Sequence, residues 1–213
     1  QPTGRIQTMK TFSSLIVGSA LMLGLSGCFS AGAKNTAVYT PRASSPSASA
    51  EAAVAWQIRI EKPDSSEFLD STRIAVRRGN NTMQVFEAAR WSDSVPDLLQ
   101  SHLSQTFNDS GKITATTGLD TNTASDALLL LDIRQFEAVY SDNDKSASAV
   151  ISIQANVQSL RNNRIIASKH FKVVVPARDK KIPQVMEAFD AALQQVSQEI
   201  LVWTLTANVP TRK

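Results

Sequence analysis

The chain has 213 residues, with 22 Lys and Arg against 19 Asp and Glu, and a formal net charge of +3. This length is typical of one domain with terminal extensions. The only cysteine, Cys28, excludes an internal disulfide. The absence of basic runs interleaved with aromatic residues argues against nucleic-acid binding.

Residues 9–28 form the first organised stretch. Met9 and Lys10 give a short positive start, followed by an apolar run at 15–25. The run is shorter than the roughly 20 apolar residues of a spanning helix and ends in small residues, which is typical of a secretory signal peptide. A buried core helix is the weaker alternative, because sequence rich in Ala, Ser and Pro follows it.

The apolar run closes with four residues that resemble the lipobox of bacterial lipoproteins: Leu25, Ser26, Gly27 and Cys28. The resemblance implies that residues 1–27 are removed, with 1–8 preceding the start at Met9. It also implies that Cys28 carries diacylglyceryl and acyl groups, such as palmitate, and we expect no other cofactor.

Removal of residues 1–27 takes away Arg5 and Lys10 and no acidic residue, so the mature chain has 20 basic and 19 acidic residues. In the lipoprotein family, an Asp directly after the lipidated cysteine retains the protein in the inner membrane. Here Phe29 and Ser30 follow. The expected location is therefore the periplasmic face of the outer membrane.

Residues 28–53 predict a lipidated, flexible tether. They consist mainly of Ala, Ser, Pro, Gly and Thr, a composition that buries too little apolar surface to offset the entropy of ordering. Tyr39 is the exception, and we expect it to dock onto another element.

Residues 54–207 are predicted to form one α+β domain, followed by a tail at 208–213. Alternation of apolar and polar residues, or apolar runs bounded by turn residues, predicts strands. These strands are 54–61, 72–78, 82–87, 112–117, 126–140, 149–158 and 165–175. The strand at 126–140 is expected to be central, and Lys169 predicts a bulge or an edge in the last strand.

Two apolar stripes at helical spacing predict helices. The first begins at Ser94, which forms a capping-box variant with Asp97, and ends at Gly111. The second covers 180–205 with Asp179 as its cap. The predicted fold is a single, largely antiparallel sheet with two main helices packed on it.

No catalytic or metal-binding residue is predicted. Motifs for nucleophilic hydrolysis, phosphate binding and zinc binding are absent from the sequence outside the signal peptide. His102 and His170 are the only histidines, and their positions favour structural or surface roles. The run Asp142, Asn143, Asp144 lacks the later ligands of a calcium loop, which favours a solvated hairpin turn.

Three residues are candidates for partner binding: Arg90, Trp91 and Trp203. Trp91 precedes the first helix and Trp203 lies near the end of the second. Aromatic residues serve as core residues and as interface anchors, so both roles stay open.

The order of these elements resembles that of the ABC-type transport auxiliary lipoproteins. The family includes the PqiC-like components that accompany MCE-domain lipid transport systems. The resemblance rests on the lipobox and tether and on residues 71–76 (STRIAV), 86–91 (FEAARW), 98–99 (LL), 127–137 and 199–203 (EILVW). Phe86, where a Tyr is often seen, and Ser92 and Asp93 after the Trp depart from the family pattern.

The resemblance implies a noncatalytic outer-membrane subunit that helps to move phospholipid or another hydrophobic cargo. Its partner would be a periplasmic MCE-domain protein that bridges toward an inner-membrane permease and ATPase, and a homo-oligomer stays open. The alternative is a structural or regulatory outer-membrane lipoprotein that assembles or activates a different envelope machine.

Overall fold

The computed structural model describes residues 36–42, 51–79, 82–118 and 124–210. In these ranges the chain forms strands and helices in the following order: β1 (Ala37–Tyr39), β2 (Gln57–Ile60), β3 (Asp64–Ser65), β4 (Arg73–Arg78), β5 (Thr82–Trp91), α1 (Val95–Asp109), β6 (Thr114–Thr117), β7 (Ala127–Tyr140), β8 (Ala147–Ser159), β9 (Arg164–Pro176) and α2 (Ile182–Leu205). The four residues of the lipobox lie outside the described residues.

Strand β7 is the centre of the sheet, as its long apolar start predicts. Along one side it pairs in parallel with β2, β3 and β4, one after another, and along the other it pairs antiparallel with β8 over its whole length. Strand β9 continues the sheet beyond β8, and β5 and β1 continue it beyond β4.

The α+β class is confirmed, but the prediction of a largely antiparallel sheet is wrong. Five strand pairs are parallel: β1–β5, β2–β6, β2–β7, β3–β7 and β4–β7. Parallel neighbours need a crossover connection, and the chain supplies it because α1 lies between the first group of strands and the pair β6 and β7. The sheet is therefore mixed.

The predicted tether contains part of this sheet. Strand β1 pairs in parallel with the end of β5, with Ala37 opposite Ala89 and Tyr39 opposite Trp91. The folded unit thus includes residues well before the predicted domain start at 54. Tyr39 packs against the hydrophobic core, which agrees with its predicted docking.

Helix α1 forms where the apolar stripe predicts it. Ser94 precedes the helix, and its hydroxyl donates a hydrogen bond to the Asp97 carboxylate at 2.6 Å instead of capping a backbone N–H. Gly111 follows the helix with φ of +62°, a conformation that glycine adopts without the steric cost of a Cβ.

Helix α2 begins later than predicted. Lys181 occupies the position before its first turn, no side chain caps it, and Pro183 lies within that turn. Asp179 is therefore not the cap, and its carboxylate instead lies 3.7 Å from the Lys181 ammonium. Proline is favoured in the first turn because its missing N–H has no intrahelical partner there.

One face of the sheet and the two helices enclose the core. Alternate residues of β7 and β8 point toward the helices and are almost fully buried, including Leu129, Phe136, Ile151 and Ile153. Leu99, Leu103 and Phe107 of α1 and many residues of α2 meet them. The opposite face of β8 carries Ser148, Ser152, Gln154, Asn156 and Gln158, so both helices lie on one side.

Strand β9 lies at an edge of the sheet, as Lys169 predicts. Within the described residues it pairs only with β8, and its register shifts near Val157 and Gln158. Among the described helices, none has the length and apolar character needed to span a membrane.

Candidate partner-binding surfaces

The described chain begins close to the predicted anchor. Thr36 follows Cys28 by eight residues, which span at most about 28 Å when fully extended. A strand at Ala37–Tyr39 therefore shortens the predicted tether to a fraction of its expected length.

Residues 36–42 are held by the backbone as well as by Tyr39. The Ser92 N–H donates to the Tyr39 carbonyl at 2.8 Å, and the Arg42 N–H donates to the Asp190 carboxylate on α2 at 3.2 Å. Burial raises the pKa of Asp190, and the Arg42 N–H and guanidinium oppose that shift. The segment thus crosses from the β5 edge to the middle of α2.

A cavity of about 330 Å³ lies between this segment and α2. Its wall is formed by Val38, Tyr39, Thr40, Pro41, Arg42, Trp91, Pro183, Met186, Glu187 and Asp190. Three of these side chains are charged, namely Arg42, Glu187 and Asp190, and only Trp91 and Met186 among the ten are buried. Its shape depends on the N-terminal segment staying in place.

Trp91 is a core residue in this structure. It is 2% exposed, and its ring meets Phe136 and Phe189 edge to face, with centroids 5.7 and 5.1 Å away. Phe136 and Phe189 also stack on each other at 5.3 Å. Arg90 is exposed, since alternation along β5 turns it away from the core. The two neighbours thus have different surroundings and do not form one contact surface.

Trp203 lies at a surface groove. Its ring is half-buried and meets Phe171 of β9 edge to face at 5.5 Å. The groove has a volume of about 430 Å³ and is lined by Lys169, Gln198, Glu199, Val202, Trp203 and Thr206. The structure therefore places Trp203 far along α2 from the Trp91 cluster, in a setting that leaves part of its ring accessible.

Two Ser–His contacts occur in the described residues. His102 Nδ1 lies 3.1 Å from Ser197 Oγ between the helices, and His170 Nε2 lies 2.8 Å from Ser152 Oγ on the sheet. A nucleophilic serine needs access for its substrate, whereas Ser197 and Ser152 are 0% and 3% exposed. Both contacts therefore satisfy the hydroxyl of a buried serine.

The hairpin from β7 to β8 is a polar turn. Ser141 Oγ accepts hydrogen bonds from the backbone N–H groups of Lys145 and Ser146, and Asp144 adopts φ of +52°. The Arg78 guanidinium pairs with the Asp144 carboxylate at 2.5 Å. This agrees with the predicted hairpin turn, and no group of three metal-ligating side chains occurs among the described residues.

Sequence reasoning missed the groove beside Trp203 and anticipated only part of the N-terminal docking. The groove depends on which strand α2 covers, and neither periodicity nor composition supplies that information. Docking of Tyr39 was expected, because it stands in a segment otherwise made of small residues, but the strand that it forms was not.

Comparison with known proteins identifies relatives for most of this fold. A family model described as the ABC-type transport auxiliary lipoprotein component matches residues 39–201. The crystal structure of protein XCC0632 from Xanthomonas campestris, a DUF330 protein, is 32% identical, with a TM-score of 0.75 over 80% of this chain and 95% of that one.

Two further relatives are more distant. An uncharacterized protein of known structure matches with a TM-score of 0.64 at 11% identity, over 80% of this chain and 99% of that one, which shows a shared fold alone. The Bradyrhizobium diazoefficiens protein bll6063 is 26% identical over 117 residues, or 55% of this chain. The match covers 31% of that curated relative's length.

Proposed function

Because the chain belongs to the ABC-type transport auxiliary lipoprotein family, we propose that it is a noncatalytic auxiliary component of an MCE-type ABC transport system. It serves the movement of phospholipid or another hydrophobic cargo across the cell envelope. The observation that carries the proposal is the family match, which runs from β1 almost to the end of α2.

The proposed anchor is the acylated Cys28 in the outer membrane, with the domain on the periplasmic side. Each buried methylene of an acyl chain contributes about 0.8 kcal/mol, so one chain binds reversibly and several chains hold stably. Since Thr36, the first described residue, follows Cys28 by eight residues, the chain between the proposed anchor and the described fold reaches at most about 28 Å. That restriction raises its effective concentration near a membrane-bound partner.

The proposed partner is a periplasmic MCE-domain protein, and through it an inner-membrane permease and ATPase. The sequence has no phosphate-binding loop, so ATP hydrolysis is assigned to another subunit. The auxiliary domain contributes binding surface, and the serines of its two Ser–His contacts are buried.

Crosslinking in intact cells tests the partner. The acylated protein, crosslinked and purified from membranes, should recover an MCE-domain protein or a permease of that system. Recovery of a different envelope assembly without either of them would contradict the proposal and favour the assembly or activator role.

Cell fractionation tests the anchor. Cys28→Ser should leave the folded domain intact and move it from the outer-membrane fraction to the soluble periplasmic fraction. Circular dichroism of the variant provides the control for folding. A folded variant that stays with the outer membrane would show that the anchor lies elsewhere.

A further inference from the structure

The groove beside Trp203 lies along an open strand edge. Strand β9 runs for 13 residues and, within the described residues, has a partner only on its β8 side. The backbone groups on its other side can therefore pair with an added strand. Helix α2 lies next to that edge, and Lys169 of β9 and Trp203 of α2 both line the groove between them.

The two faces of β9 offer different contacts. Phe171 and Val173 point toward α2 and are buried, so Lys169 lies on the same face, with its ammonium 4.9 Å from the Phe171 ring centroid. Lys172 and Val174 lie on the opposite face. Val174 and Ile165 are 53% and 50% exposed, and a strand added beside β9 would cover part of them.

A free strand edge beside a helix is the arrangement that takes extended peptides by strand addition. The backbone ladder provides affinity, and alternate side chains enter the pocket between strand and helix. Here that pocket is walled by Val202 and Trp203, and a second hollow of about 250 Å³ continues it along Gln198 and Glu199. In an added strand, every second side chain would point toward the helix side, where Trp203 lies.

The positive charge of β9 favours an acidic segment as the occupant of the groove. The ionised side chains of β9 are Arg164, Lys169 and Lys172, and the strand has no acidic residue. Pairing with the β9 strand of a second copy would offer Lys169 no acidic partner, because like charges repel and opposite charges attract across strands. Glu199 is the acid of the groove, and it lies on the helix side, where it accepts a hydrogen bond from Gln195 at 3.0 Å.

We propose that the groove between β9 and α2 binds an extended segment of a partner protein, with an apolar side chain against Trp203 and an acidic side chain opposite Lys169. The segment extends the sheet beyond β9. This deepens the proposed function, on which it rests for the partner's location, by assigning the surface that the partner occupies.

Synthetic peptides test the groove on the full acylated chain in detergent. The probe is a fluorescein-labelled ten-residue peptide of alternating Val and Thr with one central Glu. It should bind about fivefold more tightly than the same peptide with Lys, given the size of cross-strand charge effects. N-methylation of alternate backbone amides should abolish binding, because those groups form the ladder.

Two lysines of β9 provide a matched pair of variants. Lys169→Glu should reverse the preference between the Glu and Lys peptides, whereas Lys172→Glu adds the same charge on the other face and should retain it. A benzophenone in the Glu peptide should crosslink to β9 or to α2 near Trp203.

Three results would overturn the groove proposal. The first is that no peptide binds, which would mean that the lysines only keep the edge from pairing. The others are equal effects of the two substitutions and crosslinks outside β9 and the end of α2. These results do not depend on the identity of the transport system. Failure of the groove is thus distinguishable from failure of the MCE crosslinking experiment.

Discussion

Trp91 and Arg90 show how neighbouring residues can differ completely in what they contribute. Trp91 lies among Phe136 and Phe189 at 2% exposure, while Arg90 faces outward. Truncation of a buried aromatic residue removes its transfer free energy and leaves a cavity. The pair therefore provides a test of which residue stabilises the fold.

Trp91→Ala should lower the free energy of unfolding by about 3–5 kcal/mol, measured by urea denaturation. Arg90→Ala should change it by no more than about 0.5 kcal/mol, as for other surface positions. Similar losses in both variants would contradict the assignment of Trp91 to the core and of Arg90 to the surface.

Glu137 and Arg77 form an ion pair on the sheet face away from the helices. The Arg77 guanidinium donates two hydrogen bonds to the Glu137 carboxylate at 2.8 and 3.0 Å, and Gln135 donates a third at 2.9 Å. The side chains are unequally buried, with Glu137 at 2% and Arg77 at 30% exposure. Removal of the Arg77 guanidinium should therefore lower the free energy of unfolding more than neutralisation of the Glu137 carboxylate does.

Arg77→Met should destabilise the protein by about 3 kcal/mol, because it leaves a buried carboxylate without its counter-charge. Glu137→Gln should cost about 1 kcal/mol, since the amide oxygen still accepts a hydrogen bond and Arg77 stays partly hydrated. Urea denaturation at pH 7 measures both, and a larger loss for Glu137→Gln would refute this reasoning.

At the scale of elements, strand β1 shortens the chain between the proposed anchor at Cys28 and the described fold. Its three residues make a short ladder with β5, and short strands are marginal without side-chain packing. Tyr39 packs against the core, whereas Val38 is 50% exposed. Tyr39 should therefore be the residue that keeps β1 in the sheet.

Tyr39→Ala should release β1 and speed hydrogen exchange of the Ser92 amide, which donates to the Tyr39 carbonyl. Amides of β8 should keep their protection, because the central pairing is unaffected. Val38→Ala is the matched control and should leave Ser92 protected. Unchanged exchange at Ser92 in Tyr39→Ala would mean that the backbone alone holds β1.

Element boundaries were predictable where local chemistry is decisive. Helix α1 ends at Asp109, two residues before Gly111, and β9 ends at Pro176, which cannot donate to a ladder. The end of β5 was not predictable, because the sequence at 88–91, Ala-Ala-Arg-Trp, does not alternate regularly between apolar and polar residues and is held by pairing with β1 and β4. The start of α2 also differed, because Pro183 rather than Asp179 marks its first turn.

At the scale of the whole molecule, the fold class was predictable from the sequence, whereas the topology of the sheet was not. Two amphipathic helices and alternating strands specify an α+β fold, but β2, β3 and β4 reach the same side of β7 only through distant connections. Trp203 was a candidate from its residue type alone. Its groove exists because α2 packs over β8 and β9, and no local sequence pattern shows which strands a helix covers.

The packing of α1 against α2 makes the stability of the whole domain depend on pH. His102 lies between the helices, with Ser197 and Thr106 near Nδ1. Burial lowers its pKa below the ordinary value of 6.5, while the Arg42 backbone and the Asp190 carboxylate oppose the shift. Protonation of His102 is therefore less favourable in the folded state than in the unfolded chain.

The linkage between proton binding and folding gives the direction in which pH changes the free energy of unfolding. Above pH 6.5 His102 is neutral in both states and imposes no cost. As the pH falls below 6.5 the unfolded chain takes up the proton first, so stability is lost until the folded-state pKa is reached. The raised pKa of Asp190 has the opposite effect, in a window that extends upward from its ordinary value of 3.8. The contribution of His102 is therefore isolated by the difference between the wild type and a variant without the imidazole.

His102→Gln removes the titrating group and keeps a side chain that can hydrogen-bond Ser197. Its free energy of unfolding should fall less than that of the wild type between pH 7 and pH 5, measured by urea denaturation at each pH. Ser197→Ala removes the hydrogen bond to Nδ1 but keeps the imidazole, so it should retain the wild-type slope. Equal slopes in the wild type and His102→Gln would show that His102 is accessible to protons without loss of stability, and that the contact between the helices is not what couples folding to pH.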